Sequence, residues 1–334
     1  MNGTKKFVTL GSNNLLVSQL GIGCMGMSEF YGSTDDNESI RTIHRAYELG
    51  VNHFDTANCY GFGHNEQLLA KAIKSLDRDK LVIATKCGIE RRAEDPTFLD
   101  VDNNPQYIKK CCEDSLKRLD VEYIDLFYLH RINPATPLED SMQAMSELVQ
   151  AGKIRNIGLS EVSAKTIAKA NAIHQITAVQ SEYSLWSRDV EKEVLPLCKS
   201  LSIGFVAFSP LGNGFLSGKI KNTDTLNSDD MRQVLPRFKT ENLAHNLQIV
   251  SAIEEIASAK SCTPAQVALA WILAQGDHIT AIPGTKRISH LEENMNAGDV
   301  KLSAYDLEKL CTTIPAGFAK GSRTLEGLEK FANN

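Results

Sequence analysis

The sequence predicts an α/β protein built as a (β/α)8 barrel of the TIM type, with an N-terminal β-hairpin and a C-terminal helical extension. Three observations carry that prediction. Short β-rich runs alternate with longer amphipathic stretches, which argues for a parallel sheet. There are eight such pairs, the number that closes a barrel. Along the 334 residues no low-complexity segment and no linker divides the chain. Residues 1–334 therefore read as a single barrel domain, with about 300–334 as extension. The competing architecture, a doubly wound sheet, normally carries a nucleotide fingerprint in its first strand–helix turn.

The elements follow in order. FVTL, the turn GSNN and LLVS open as a hairpin. Barrel strands are expected at LGIG (20–23), NHFDT (52–56), LVIATK (81–86), YIDLFYLH (123–130), IRNIGLS (154–160), TAVQ (177–180), IGFVAFS (203–209) and ITAIP (279–283). Helical patterns fill the intervals at 36–49, 64–75, 105–119, 137–151, 163–173, 189–200, 241–275 (broken near Pro264) and 287–297. In the fourth, Leu138, Met142, Met145, Leu148 and Val149 recur at helix spacing. The first turn, GIGCMG at 21–26, matches G-x-G-x-x-G letter for letter. Its sequel, SEFYGS, reads as loop rather than as a helix facing a pyrophosphate, so the doubly wound reading fails there.

Composition narrows the function. Lys plus Arg is 36 against 41 Asp plus Glu, a net charge of −5. No dense basic run accompanies it, which disfavours nucleic acid as a partner. No apolar stretch approaches the roughly 18 residues of a membrane span. The opening MNGTKKFVTLG lacks the apolar core of a secretory signal. Eight scattered cysteines without C-x-x-C fit reduced thiols and a cytoplasmic location. Histidines lack H-x-H or H-x-x-x-H spacing, so no metal is expected.

In such barrels function sits where the strands end. Those ends carry Asp55, Lys86, His130, Ser160, Gln180, Ser209 and Gly284. Asp, Lys and His at the ends of three successive strands are costly types to place there. Tyr60 lies five residues past Asp55, in a loop that can fold over the mouth. Alone, each has an ordinary reading: a loop cap, a snorkelling lysine, a core histidine, a packed tyrosine. Together they suggest a proton-transfer device. An ammonium beside a phenol favours the phenolate and lowers its pKa. Asp55 would keep Lys86 charged, and His130 would orient a carbonyl oxygen. Tyr60 would protonate that oxygen as hydride arrives at carbon.

The segments HFDTANCYGFGHNE, ATK, YIDLFYLHR, IRNIGLSE, VQSEYSLW, FSPLGNGFLSG and IPGTK, in this order and spacing, resemble the aldo-keto reductase superfamily over nearly the whole chain. The Ser-Glu pair and EYSLWSRD are most similar to the auxin-induced-type, perakine-reductase-like subgroup of plants and its bacterial and fungal relatives. The resemblance implies Tyr60 as general acid, Asp55 and Lys86 as its tuning partners, and His130 as carbonyl orienter. It implies NADPH/NADP+ as cofactor and a small carbonyl compound as substrate. Gly23, Cys24, Met25 and Asp55 fall among the implied cofactor contacts. So do Ser160 and Gln180 at the nicotinamide amide, and Phe208 as the stacking ring. Many members have Asn where this chain has Glu161.

Two segments suit phosphates on their own chemistry. Ser209, Pro210, Leu211, Gly212, Gly214, Leu216 and Ser217 lie in a glycine-rich loop whose backbone N–H groups can approach a pyrophosphate. Gly284, Thr285 and Lys286 lead into a helix N-terminus suited to a 2′-phosphate, with Arg287 as a second cation. That favours NADP over NAD. His290 stands where many relatives have Arg or Gln, and Glu293 and Asn294 match residues that hold the adenine edge. Met25, Phe30, Tyr31, Cys59, Ile89 and Trp186 are expected near the substrate. The long polar stretch 209–240 is expected to act as a cofactor clamp. Two other functions compete: a Schiff-base aldolase using Lys86, and a regulatory nicotinamide-binding module. Oligomeric state is not legible.

Overall fold

The computed structural model describes residues 7–224 and 226–324. β1 (Phe7–Leu10) and β2 (Leu15–Ser18) form an antiparallel hairpin. The barrel strands are β3 (Ile22–Gly23), β4 (His53–Asp55) and β5 (Val82–Cys87). After a second hairpin, β6 (Ile89–Arg91) and β7 (Leu99–Val101), come β8 (Leu126–Leu129), β9 (Ile157–Ser160), β10 (Ala178–Glu182), β11 (Gly204–Phe208) and β12 (Ile279–Ala281). The eight barrel strands are parallel neighbours in chain order. Bridges Leu20–Ala281 and Gly23–Gly284 join the last strand to the first, with Gly21 N–H donating to the Ala281 carbonyl at 2.8 Å.

Strand alternation sorts the side chains into two cores. Phe54, Ile83, Phe127, Leu159, Val179 and Phe205 face outward to the helices. Val82 and Ala84, Leu126 and Tyr128, Ala178 and Val206 face inward. Two residues further along the same inward rows stand Lys86, His130, Gln180 and Phe208. The barrel is thus apolar at its floor and polar at its mouth. Val8, Leu10 and Val17 of the first hairpin join the inner core and close the floor. Gly11 turns that hairpin at φ +66, where an added Cβ would meet Thr177 at 2.9 Å.

Ten helices surround the described barrel: α1 (Asp36–Glu48), α2 (His64–Ile73), α3 (Pro105–Leu119), α4 (Leu138–Gln150), α5 (Ala164–Ile173), α6 (Val194–Ser200), α7 (Thr240–Ala259), α8 (Pro264–Leu273), α9 (Ile288–Met295) and α10 (Ala304–Thr313). Asp35 caps α1 by accepting from Glu38 N–H at 2.9 Å. The stretch read as one helix over 241–275 is two, because Thr263 forms a capping box with Gln266 and Pro264 starts a new helix. The helix expected from 189 begins at 194, after a single 3-10 turn. α10 lies in the expected extension; the chain then runs back to the barrel mouth at Arg323. Residues 325–334 of that extension lie outside the described residues. Among the described residues, no helix is long and apolar enough to cross a membrane.

Candidate active site

The mouth of the barrel opens into a cleft of about 980 Å³. Asp55 and His130 line it from β4 and the residue after β8, and Lys86 of β5 lies buried beneath it against Asp55. Tyr60 arrives on the loop after β4. Lys86 is fully buried and forms an ion pair with Asp55. Its ammonium also donates to the Thr56 carbonyl at 2.8 Å and to Tyr60 Oη at 3.4 Å. Gln180 donates to the second Asp55 oxygen at 2.7 Å. The Tyr60 and His130 rings meet edge-on, 5.8 Å between centroids. All four residues named from the strand ends and the loop therefore share one site.

α2 holds this arrangement from outside. Asn65 donates to the Cys24 carbonyl at 2.9 Å and accepts from Thr56 Oγ1 at 2.6 Å. Glu66, fully buried, accepts from Thr85 Oγ1 and pairs with Arg118 Nε, both at 2.6 Å. On the opposite rim Arg91 donates to both Glu29 oxygens at 2.8 Å and to the Cys59 carbonyl at 3.1 Å. That contact ties the β6–β7 hairpin to the loop carrying Tyr60.

The electrostatics differ from expectation at one point. Tyr60 is pushed well above the usual phenol range, first by burial and then by the Asp55 charge; Arg131 pulls the other way. The expected lowering by Lys86 does not dominate, because Asp55 in contact balances the ammonium. His130 is held well below its ordinary range by burial, with Arg131 and Lys86 adding to the effect. It is neutral at pH 7. Cys59 Sγ lies 3.7 Å from His130 Nδ1, and burial pushes its thiol up to about 12.

A groove extends from this centre past both phosphate-type segments. Gly23, Cys24, Met25, Ser160, Phe208, Ser209 and Pro210 line its first part, with Asp55 and Gln180. The Phe208 ring has no aromatic partner among the described residues. Leu211, Gly214 and Ser217, then Gly284, Thr285, Lys286, His290, Glu293 and Asn294 line the rest. In the glycine-rich loop, Ser209, Gly212, Asn213 and Gly214 all take positive φ. The backbone N–H groups of Leu211, Asn213 and Gly214 have no acceptor among the described residues. Asn294 is buried without a side-chain partner among them.

Three expected site residues stand elsewhere. Gly212 faces Trp186, where a Cβ would meet the indole at 2.6 Å, and Leu216 is fully buried. Trp186 is a core residue stacked on Phe215 at 4.7 Å, not part of the cleft. Lys286 lines the groove but donates to the Tyr31 carbonyl at 3.0 Å and the Gly32 carbonyl at 3.3 Å, with a third contact to Ser33. Met25, Phe30, Tyr31, Cys59 and Ile89 do line the cleft. Glu161 turns out to be structural: at φ +54 it accepts from Glu182 N–H at 2.8 Å and pairs with Arg323.

Sequence reasoning missed Arg131, Arg323 and the β6–β7 hairpin. Arg131 had an available signal, as the cation beside the strand-end histidine. Arg323 had none, since its partner is 162 residues away.

A parallel barrel with Asp, Lys, His and Tyr gathered at its C-terminal mouth defines a TIM-barrel enzyme with a site for an extended ligand. The aldo/keto reductase family matches residues 19–313 of this chain. A curated relative, "Probable aldo-keto reductase 1" of Glycine max, is 46% identical over 330 residues, covering 97% of this chain and 93% of that protein. The glycerol dehydrogenase of Gluconobacter oxydans is 26% identical, covers 99% of this chain and 98% of its own, and superposes with a TM-score of 0.85. An aldo/keto reductase from Klebsiella pneumoniae, solved with NADP and acetate, is 26% identical, covers 96% and 99%, and has a TM-score of 0.75. The chain belongs to the aldo/keto reductase family and is an NADP-dependent oxidoreductase. The groove fits that cofactor: free backbone donors at the glycine-rich loop, an unstacked Phe208 ring and an unpaired Asn294 amide lie along one continuous path.

Proposed function

We propose that the protein reduces aldehyde or ketone carbonyls to alcohols, with Tyr60 as general acid. The observation that carries this reading is the juxtaposition of Tyr60 Oη with the buried Lys86–Asp55 pair, 3.4 Å from the ammonium, beside a neutral His130. When bound, NADPH supplies the hydride. Ser160, Gln180 and Phe208 would hold its nicotinamide, and the loop at 209–217 with residues 284–294 would hold its phosphates and adenine.

The chain's own residues move the proton. Tyr60, with its pKa raised by burial and by Asp55, is fully protonated at neutral pH. Its proton leaves only as negative charge develops on the carbonyl oxygen. Lys86 then donates to the phenol oxygen that remains, and Asp55 with Gln180 fixes the ammonium in place. At His130, the protonated Cys59 thiol can donate to Nδ1, which leaves Nε2 as an N–H aimed at the substrate oxygen. The same geometry weighs against a Schiff-base aldolase, since the Lys86 ammonium is committed to Asp55 and the Thr56 carbonyl. Eight free cysteines support a reducing, cytoplasmic setting.

The test is Tyr60→Phe. Turnover of aldehydes with NADPH should fall by about 10²–10⁴, the range for loss of a general acid, while NADPH still binds in a fluorescence titration. Turnover close to wild type would remove Tyr60 from that role.

A further inference from the structure

A group of guanidiniums that the reduction reaction does not require lies at and behind the cleft wall, where Arg131 and Arg323 line it. Arg131, Arg237 and Arg323 face two buried carboxylates, Glu161 and Glu182. Arg323 pairs with both, reaching Glu182 at 3.1 Å. Arg237 lies 3.7 Å from Glu182 and donates to Ser187 Oγ at 2.6 Å. Asp189, the other carboxylate that Arg237 senses, is exposed at the surface. Both buried carboxylates are thereby used.

Arg131 is left over. Among the described residues its guanidinium donates only to the His130 carbonyl at 2.7 Å and to Ser160 Oγ at 3.3 Å. Among the described residues no carboxylate lies within ion-pair distance of it. The other charged pairs around the cleft, Asp55–Lys86, Glu29–Arg91 and Asp230–Arg232, are internally neutral. Among the described residues Arg131 therefore presents to the cleft, beside His130, a largely desolvated cation without an ion-pair partner, whose burial outweighs the pull of Glu161. Such a charge is costly unless a partner arrives. A reacting carbonyl is not that partner, because Tyr60 and His130 already supply neutral donors. A planar guanidinium with free N–H groups suits a carboxylate, which it can bind in a fork.

We propose that Arg131 is a specificity-determining residue that binds a carboxylate of the substrate remote from its carbonyl, so that the preferred substrates are acidic aldehydes or ketones. The proposal rests on reading the cleft as a carbonyl-reducing site. The cluster around it then acts as a frame: Glu161 and Glu182 bond to Arg323 and Arg237, so that Glu161 steadies the Arg131 charge without forming an ion pair with it.

The experiment compares 4-carboxybenzaldehyde with methyl 4-formylbenzoate in the wild type, Arg131→Gln and Arg131→Lys. The ratio of kcat/KM for acid over ester is formed within each variant, which cancels general damage to the fold or to cofactor binding. The wild type should favour the acid by about tenfold or more, the worth of a charged hydrogen bond. Arg131→Gln should lose that preference, chiefly through KM, and Arg131→Lys should keep part of it. A second arm measures calorimetric binding of 4-(hydroxymethyl)benzoate and its methyl ester to the NADP+-loaded protein. Tighter binding of the acid, lost in Arg131→Gln, supports the proposal even where no carbonyl is turned over, so that failure of the reductase reading is seen separately. An acid-to-ester ratio near one in the wild type, or one unchanged by Arg131→Gln, overturns it. So does an equal shift of the pH profile for both substrates, which would make Arg131 a positioning residue for Tyr60. A loss of NADPH affinity with the acid-to-ester ratio unchanged would assign it to the cofactor instead and likewise overturn the proposal.

Discussion

His53 offers the cleanest test of how the barrel tolerates polar groups below its site. It stands on β4 two residues before Asp55, on the same inward face, and is fully buried. Neither ring nitrogen has a hydrogen-bond partner among the described residues. Burial lowers its pKa from 6.5 to about 4, against a smaller opposing pull from Asp55. At pH 7 the ring is neutral both folded and unfolded, so it contributes no pH dependence. As pH falls below about 6.5 the unfolded chain takes a proton that the folded chain refuses, and stability is lost down to about pH 4. Each unit of difference is worth about 1.4 kcal/mol. By pH 5 this residue alone should have removed about 2 kcal/mol. His53→Met fills a similar volume with no titrating group and no unpaired nitrogen. Urea unfolding at pH 7 and pH 5 reads the outcome. The variant should match or exceed the wild type at pH 7, and its advantage should widen by about 2 kcal/mol at pH 5. A gap of the same size at both pH values would refute the assignment of a buried neutral imidazole.

Other consequences can be checked in parallel. Arg118→Met leaves Glu66 buried with Thr85 as its remaining partner, and should cost about 3–5 kcal/mol in urea unfolding; the double variant Glu66→Gln/Arg118→Met should recover much of that. Lys286→Met should weaken NADPH by about tenfold in a fluorescence titration, the worth of a charge-assisted hydrogen bond. Because Lys286 also holds the carbonyls of Tyr31 and Gly32, NADH should weaken too, though less. An unaltered NADH affinity would show that the loop contact is incidental to cofactor binding. Saturating NADPH should slow amide exchange at Leu211, Asn213 and Gly214, whose N–H groups are unpaired among the described residues; unchanged exchange there would remove the clamp.

Most of the fold is legible in sequence because each barrel strand announces itself twice. LVIATK and YIDLFYLH are β-rich runs, and each closes on an ionisable residue that an apolar barrel interior would not carry. The gathering of Asp55, Lys86 and His130 at one mouth is legible for the same reason, and Tyr60 joins them from the loop after β4. The rest fails on physical grounds. β6 and β7 are three residues each, separated by a polar run, too short for alternation to show. Trp186 looks like a loop aromatic near the site, yet Phe215, 29 positions away, supplies the face it stacks on. The direction of the Tyr60 shift could not be read from the presence of a lysine. It depends first on the burial of the phenol and then on the Asp55 charge beside it, which are matters of geometry. Arg323 and Glu161 meet only because the tail returns across the barrel mouth.

The register of β5 shows why site and fold cannot vary independently here. Thr85 and Lys86 are adjacent and point to opposite faces, as strand geometry demands. Thr85 faces outward and donates to Glu66 on α2; Lys86 faces inward and pairs with Asp55. β5 is paired on one side to β4 through Asp55–Ala84 and on the other to β8 through Lys86–Tyr128. A slip of one residue would put an ammonium against the outer core and a hydroxyl where the cation now stands beside Asp55 and Tyr60. It would also take Thr85 from Glu66 and the Lys86 ammonium from Asp55, leaving two buried carboxylates with only Arg118 and Gln180 respectively to offset their burial among the partners described above. The buried Thr85–Glu66–Arg118 chain outside the barrel therefore sets the position of the Lys86–Asp55 pair inside it. The geometry proposed for catalysis at Tyr60 is inherited from that register, and substitutions at Glu66 or Arg118, which are bonded outside the barrel, should act on turnover through it.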